Sequence, residues 1–298
     1  MRALRAIQTG QRPPTRLEQK DLAGWSGWGA VPEVFDEQRE EHHWVRAQLR
    51  LYLNDQEYAA AARSTINAHY TDAAIVQSIW AAVRRLGFTG GQVLEPGSGS
   101  GNFIGFAPPG AHMTGVEIEP VTAAIAAALY PGARILAESF ADTRLADGSF
   151  DLVVGNVPFG NITLTDRRHN PGGRAIHNHF IIKSLALTRP GGIVAVLTSR
   201  YTMDARNPGA RREIAGLTDL VGAVRLPSGA HQRAAGTKVV TDLLILRRRE
   251  VGRDPDPTPW ERTRLTVLDG NEVPVNEYLL DDPQAVLGEL TTVNGAYR

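Results

Sequence analysis

The chain has no cysteine among its 298 residues. That excludes a disulfide scaffold, a cysteine-ligated zinc or iron–sulfur centre and a thiol nucleophile. It fits a reducing compartment, so a cytoplasmic location is expected. Lysine is nearly missing too: Lys20, Lys183 and Lys238 stand against 29 arginines. No apolar run approaches the ~20 residues of a membrane span, so no membrane association is expected. The basic start, MRALRAIQTGQRPPTR, lacks the apolar stretch of a secretory leader. Net charge is absent as well, with 32 basic and 32 acidic residues. That balance is uneven along the chain. Residues 86–159 hold seven acids and two bases, whereas residues 160–240 hold twelve bases and four acids. A basic block in a neutral chain is a candidate polyanion face.

What is present reads as three regions. Residues 1–65 form an N-terminal extension, irregular through residue 33 and helical over 34–63, with Trp25, Trp28 and Trp44 as core anchors. Residues 66–250 alternate strands and helices. Strands are expected at 92–95, 112–117, 133–137, 150–155, 192–198, 222–226 and 241–247. Helices are expected at 72–86 (capped by Thr71), from 102, at 120–130 and at 176–188. The alternation predicts a doubly wound α/β fold, Rossmann-like, with a seven-stranded, mostly parallel sheet. The continuous apolar run at 150–155 suits a strand buried on both faces. Residues 251–298 read as a stiff proline-rich linker and a short C-terminal segment.

The densest chemistry lies in Leu94-Glu-Pro-Gly-Ser-Gly-Ser-Gly-Asn-Phe103. Gly97, Gly99 and Gly101, after a strand, let the backbone approach a ligand, and Asn102 opens a helix whose N–H groups point at it. The lack of Gly-Lys-Ser/Thr excludes a P-loop. Glu95 beside the turn repels a pyrophosphate and suits an ammonium group, and Glu117 at the end of the next strand can take both hydroxyls of a ribose. A ribose-bearing ligand with an amine and no phosphate fits, and S-adenosylmethionine is such a molecule.

A second element, Gly155-Asn-Val-Pro-Phe159, directly follows the fourth strand. Here the chain resembles the γ class of S-adenosylmethionine-dependent N6-adenine DNA methyltransferases, whose catalytic motif is Asn/Asp-Pro-Pro-Tyr/Phe. The order also fits: His69-Tyr-Thr71, then the glycine turn, then this element. Trp28-Gly-Ala-Val-Pro-Glu-Val-Phe35, Ile176-His-Asn-His-Phe180, Arg189-Pro-Gly-Gly192, Thr198-Ser-Arg-Tyr201, Gly236-Thr-Lys-Val-Val-Thr-Asp242, Val275-Asn-Glu-Tyr278 and Val286-Leu-Gly288 extend the likeness. They resemble the methylase region of phage- and mobile-element-borne helicase–methylase proteins, over roughly residues 23–298.

The resemblance implies a class I methyltransferase fold and methyl transfer to the N6 amino group of adenine in DNA. Asn156, Val157, Pro158 and Phe159 would hold the flipped base. Thr71, Glu95, Gly97, Gly99, Gly101, Asn102, Glu117, Ile118, Ser139 and Phe140 would hold the cofactor. Val157 replaces the family's first proline but keeps the backbone carbonyl the motif uses. Ser139 stands where relatives often carry Asp, and Thr71-Asp72 where they carry Thr-Pro. The same motif chemistry also serves RNA and protein-glutamine methylation, and a non-catalytic subunit binding the cofactor or DNA is a further alternative.

The basic block is expected to meet DNA phosphates through Arg167, Arg168, Arg174, His177, Asn178 and Arg200, with Arg206, Arg211, Arg212, Arg225 and Arg233 behind them. His177 and His179 are read as structural or DNA-facing; no metal is expected. Arg247-Arg-Arg249 is read as a solvated strand end. Restriction-type methylases carry an added recognition domain of ~100–200 residues, which residues 251–298 are too few to supply. Either recognition is weak, or another subunit or a missing C-terminal part supplies it; the relatives fused to a helicase imply a helicase-like or target-recognition partner, in a modification or phage-defence setting.

Overall fold

The computed structural model describes residues 1–65, 71–230, 239–255 and 260–292. His69, Tyr70, Arg233, residues 236–238 and most of the proline linker lie outside the described residues.

The sheet is the frame. β1 (Gly91–Pro96) pairs in parallel with β2 (Ala111–Val116) and β4 (Phe150–Asn156). β3 (Arg134–Leu136) extends one side beyond β2, and β5 (Thr188–Ser199) extends the other beyond β4. β7 (Thr241–Arg248) lies antiparallel between β5 and β6 (Thr218–Arg225). The order is β3-β2-β1-β4-β5-β7-β6, so the expected seven-stranded, mostly parallel sheet is present. Strand order reverses between β1 and β4, and in such sheets the crevice at that point, outside the strands' C-terminal ends, receives ligands.

Both faces of the sheet are covered because the middle residues of its central strands are apolar on both sides. Val153, Val194 and Leu244 pack against Ile181 and Leu185 of α8 (Ile176–Leu187) and Ile214 of α10 (Gly209–Leu217). Leu152, Val154 and Ala195 face the other way, onto Val76, Ile79 and Val83 of α5 (Ala73–Arg85). Short α6 (Asn102–Gly105) follows the glycine turn, α7 (Pro120–Leu129) joins β2 to β3, and α9 (Tyr201–Asp204) follows β5.

Three expectations are corrected. Residues 1–33 are mostly helical, with α1 (Arg2–Gly10) and α2 (Arg16–Ala23). Leu4 and Ile7, three apart on one helix face, pack with Leu22 and Trp28 onto Val121 and Ile125 of α7. Thr15 and Glu18 form a capping box, an exchange readable as Thr-x-x-Glu. Second, the 34–63 stretch breaks into short 3₁₀ turns, α3 (His43–Tyr52) and α4 (Asp55–Ser64), and Trp44 is exposed at 70%. The residue α3 buries is Arg46, whose guanidinium donates to the carbonyls of Asp36 and Arg39. Third, Asp72 rather than Thr71 caps α5, its carboxylate accepting the Ala74 N–H at 2.8 Å.

The C-terminal segment also holds more than a tail. β8 (Thr263–Leu268) and β9 (Asn271–Asn276) form a hairpin closed by Asp269-Gly270, both at positive φ, and α11 (Glu277–Asp281) follows. Buried Asn276 donates through its backbone N–H to Asp204 and through its amide to the carbonyls of Met203 and Trp260, which docks the segment on α9. Among the described residues no helix is long and apolar enough to cross a membrane.

Candidate active site

The C-terminal ends of β1, β2 and β4 bring the two sequence motifs together. Gly97, Gly99 and Gly101 all take positive φ, the conformation this turn needs and side chains resist. A Cβ at Gly97 would lie 3.5 Å from Pro158 Cδ and 3.7 Å from Phe180, so the turn sits directly against the Asn156 loop. Gly155 similarly lies against Glu95, with 3.5 Å from its missing Cβ to Glu95 Cγ.

Three acids organise the glycine-turn side of the crevice. Glu117, just past β2, accepts the Gly99 N–H on one oxygen and the Glu119 N–H on the other, both at 2.8 Å. Glu119 accepts two N–H groups at the start of α7, the Thr122 hydroxyl and the indole N–H of Trp28 at 3.1 Å. The N-terminal extension is thereby tied through Trp28, Glu119 and Glu117 to the glycine turn. This relay was not anticipated from sequence, although Trp28 sits in a quoted motif and Glu119-Pro120 reads as a helix start.

Glu95 is 3% exposed and its Oε2 has no hydrogen-bond partner. Burial pushes its pKa well above the carboxylate range, against the lowering effect of the Phe103 and Ile104 N–H groups. Burial likewise raises Glu117, partly offset by the backbone N–H groups of Glu119, Gly99 and Ile118. A desolvated acid with an empty acceptor position calls for a cationic or donor group. Buried Thr71 joins the turn through its carbonyl, which accepts the Asn102 side-chain amide at 3.1 Å. Ile118 is exposed at the rim. Ser139 accepts the Ala141 N–H and is half-buried. Phe140 is a core residue beneath it, 4.8 Å from the Phe180 ring and covered by Lys183.

Asn156 ends β4 with its side-chain oxygen buried and without a partner. Val157 is fully buried, and its N–H donates to the Leu197 carbonyl at 3.0 Å, which fixes the orientation of the loop's peptides. Pro158 and Phe159 are half-buried beside it. His177 and Asn178, in the first turn of α8, are also buried, with His177 Nδ1 and Asn178 Oδ1 unpartnered. Burial lowers the His177 pKa to about 4.

The basic block is divided by the fold. Arg211 and Arg225 are internal. Arg211 donates to the carbonyls of Thr202, Ala205 and Glu261. Arg225 makes a two-pronged bond to Asp242 and a third contact to Asp204, all at 2.8 Å. Neither faces a ligand, which corrects their reading as phosphate contacts: a buried guanidinium needs internal acceptors. Arg174 pairs with Glu213 and Arg168 with Asp147. Arg200 lies over the Tyr201 ring, at the same sheet end as Asn156.

The loop carrying Arg167 and Arg168 is anchored by Asp166, which accepts from Lys183 at 3.1 Å and contacts His179 at 3.1 Å and His169 at 3.3 Å. Lys183 also donates to the carbonyls of Ala141 and Thr143. It lies seven residues into α8, about 10 Å from the helix start. This part of the loop therefore runs alongside α8 and not over Asn156. The hub lowers Asp166, burial opposing its backbone and side-chain donors.

Residues 94–167 match the methyltransferase domain family Methyltransf_11, a span that includes the glycine turn, Glu117 and the Asn156 loop. The chain is 30% identical over 189 residues to "Defense against restriction protein B" of Escherichia phage P1, covering 62% of this chain and 8% of that protein's length. Among solved structures it resembles a Listeria monocytogenes protein assigned as a class I S-adenosylmethionine-dependent methyltransferase (TM-score 0.52, 16% identity, 78% of this chain and 82% of that one). It also resembles the methyltransferase subunit of a Streptococcus thermophilus type I restriction-modification system (TM-score 0.51, 15% identity, 65% and 50%). The fold is that of the class I S-adenosylmethionine-dependent methyltransferases.

Proposed function

We propose that the chain methylates the N6 amino group of adenine in DNA. The observation that carries this reading is the Asn156 side-chain oxygen, buried without a partner beside the glycine turn. A buried lone acceptor there is suited to an amino N–H of the acceptor group. An aromatic amine is a poor nucleophile because its lone pair is delocalised. With one N–H held by Asn156 and the other by the Val157 carbonyl, the nitrogen is pyramidal and its lone pair is aimed along one direction. S-adenosylmethionine supplies an electrophilic methyl group. The rest is positioning and electrostatics, with no covalent enzyme intermediate. Phe159 stacks on a base turned out of the duplex, and Pro158 stiffens the loop.

On the cofactor side, Glu95 meets the ammonium group and Glu117 the ribose, with its orientation held by Gly99 and Glu119. Gly97 lets the turn lie against Pro158, Gly101 makes room for the Tyr130 ring, and Thr71, Asn102, Ile118 and Ser139 frame the cofactor. Phe140 supports Ser139 from below. Arg200 and Arg174 flank the end of the sheet where DNA would lie. DNA is favoured over other amino acceptors by the likeness to a phage protein named for defence against restriction and to a type I modification subunit. The small share of the phage protein that is matched fits a methylase working with a target-recognition or helicase-like part.

The test is mass spectrometry of nucleosides from unmethylated DNA incubated with the chain and S-adenosylmethionine, with Asn156→Ala alongside. N6-methyladenine with wild type alone is expected. Methyl label appearing only in added RNA or protein would overturn the DNA assignment.

A further inference from the structure

The opposite end of the sheet holds an unassigned cluster. Arg189 and Gly191 at the start of β5, Arg247 and Arg248 at the end of β7, and Arg249 and Arg253 just beyond line a cavity of about 330 Å³. Asp219 and Glu250 are the acids of its wall. Arg247 lies opposite Ile193, whereas Asn156 lies opposite Leu197. Gly191 is six residues from Leu197, or about 20 Å at ~3.3 Å per residue. The cavity is thus remote from the glycine turn and the Asn156 loop.

Most of these arginines are built into place. Arg249 bonds Asp219 and the carbonyls of Ala215, Gly216 and Thr218. Arg189 bonds Asp151 at 2.6 Å. Arg247 donates to the carbonyls of Gly191 and Leu86, which hold it without neutralising it. Arg248 differs: its Nη1 is buried with no hydrogen-bond partner. Burial disfavours its charged form, and the attraction of Asp147 offsets this in part. A guanidinium keeps its proton in proteins, so the charge stays. Five arginines and two acids line the cavity, and one of these arginines, Arg248, carries a buried Nη1 without a partner.

We propose that this cavity binds a phosphate group, with Arg248 among its donors. A planar guanidinium fork matches phosphate oxygens two at a time, and the neighbouring arginines are already ordered, so little freedom is lost on binding. The volume leaves room for the sugar and base attached to such a phosphate. Two sources present the same group: a free nucleotide, and the backbone of a nucleic-acid strand passing this end of the sheet.

The test uses the full chain with inorganic phosphate, adenosine monophosphate and a 12-nucleotide single strand, against chloride at equal ionic strength. Phosphate is expected to raise the melting temperature where chloride does not. Arg248→Met and, separately, Arg253→Gln should each weaken phosphate binding at least tenfold, while Arg16→Met at an exposed position elsewhere leaves it unchanged. A mononucleotide binding as tightly as the 12-mer identifies the free nucleotide. A 12-mer binding at least tenfold tighter, with a salt slope about one smaller in Arg248→Met, identifies the backbone. No preference for phosphate over chloride, full binding retained in both cavity variants, or binding of only an acidic peptide overturns the proposal.

Discussion

The two ends of the central strands carry opposite unmet demands. At the C-terminal ends of β1 and β4, Glu95 and Asn156 offer acceptor oxygens with nothing to accept; at the far end of β7, Arg248 offers a donor with nothing to donate to. Elsewhere the interior holds equally buried polar groups that are fully met: Arg225 between Asp204 and Asp242, and Lys183 among Asp166 and two carbonyls. Burial of charge by itself therefore says little about ligands. Unmet bonding capacity at a sheet end is the informative signal.

Breaking the acceptor end should give the largest effect. Asn156→Ala is expected to slow methyl transfer by about 10²–10³-fold, the usual scale for one oriented hydrogen-bonding group in a transition state. Cofactor binding, followed by calorimetry, should persist; loss of both together would make Asn156 a structural residue.

The satisfied and unsatisfied arginines should part next. Arg225→Met leaves Asp204 and Asp242 buried without their cation and should cost about 3–5 kcal/mol of unfolding free energy in denaturant melts. Arg248→Met removes a charge that has no hydrogen-bonded counterpart and should be neutral or mildly stabilising in the absence of anion. Equal losses in both would erase the distinction.

A smaller effect is expected at Glu117. Glu117→Gln should weaken cofactor binding roughly tenfold, since a charged hydrogen-bond partner is replaced by a neutral one. Glu95 sharpens the same point through pH. Its raised pKa means that cofactor affinity should increase with pH as the carboxylate forms, and Glu95→Gln should flatten that rise. An unchanged profile would remove Glu95 from the cofactor's cationic group.

His177 should give the smallest signal. Burial holds its pKa at about 4 against 6.5 for a free histidine. Below about pH 6.5 the unfolded chain takes up a proton here that the folded chain resists until about pH 4. Stability should therefore fall as pH drops through that window, and His177→Asn should lessen the fall. Glu95 works with the opposite sign: its protonated form favours the fold, and that contribution is lost as pH rises through its raised pKa. Denaturant midpoints from pH 7 to 4 separate the two.

Much of the fold was legible because local rules and tertiary demands agreed. The apolar run at 150–155 could only be a strand covered on both faces, and the glycine turn had to follow a strand and open a helix. Thr-x-x-Glu at Thr15 and Asp269-Gly270 between apolar alternations were equally readable signals of α2 and the β8–β9 hairpin, hidden by the arginine, proline and glycine around them. Trp44 misled because an aromatic ring suggests a core, yet α3 spends its buried position on Arg46, which satisfies carbonyls of a preceding irregular turn.

The candidate site was legible from local order along the chain. Chain-adjacent residues make the glycine turn and the Asn156 loop, and short range suffices to set backbone conformation and which acceptor ends a strand. The fate of the charges was set by long-range packing. An arginine in a sequence carries the same charge whether it meets solvent, Asp242 or an empty cavity, and the partner that sets its role comes from a distant part of the chain. Arg225 is answered by β7, Arg168 by the turn before β4, and Arg248 by no hydrogen bond to its buried Nη1.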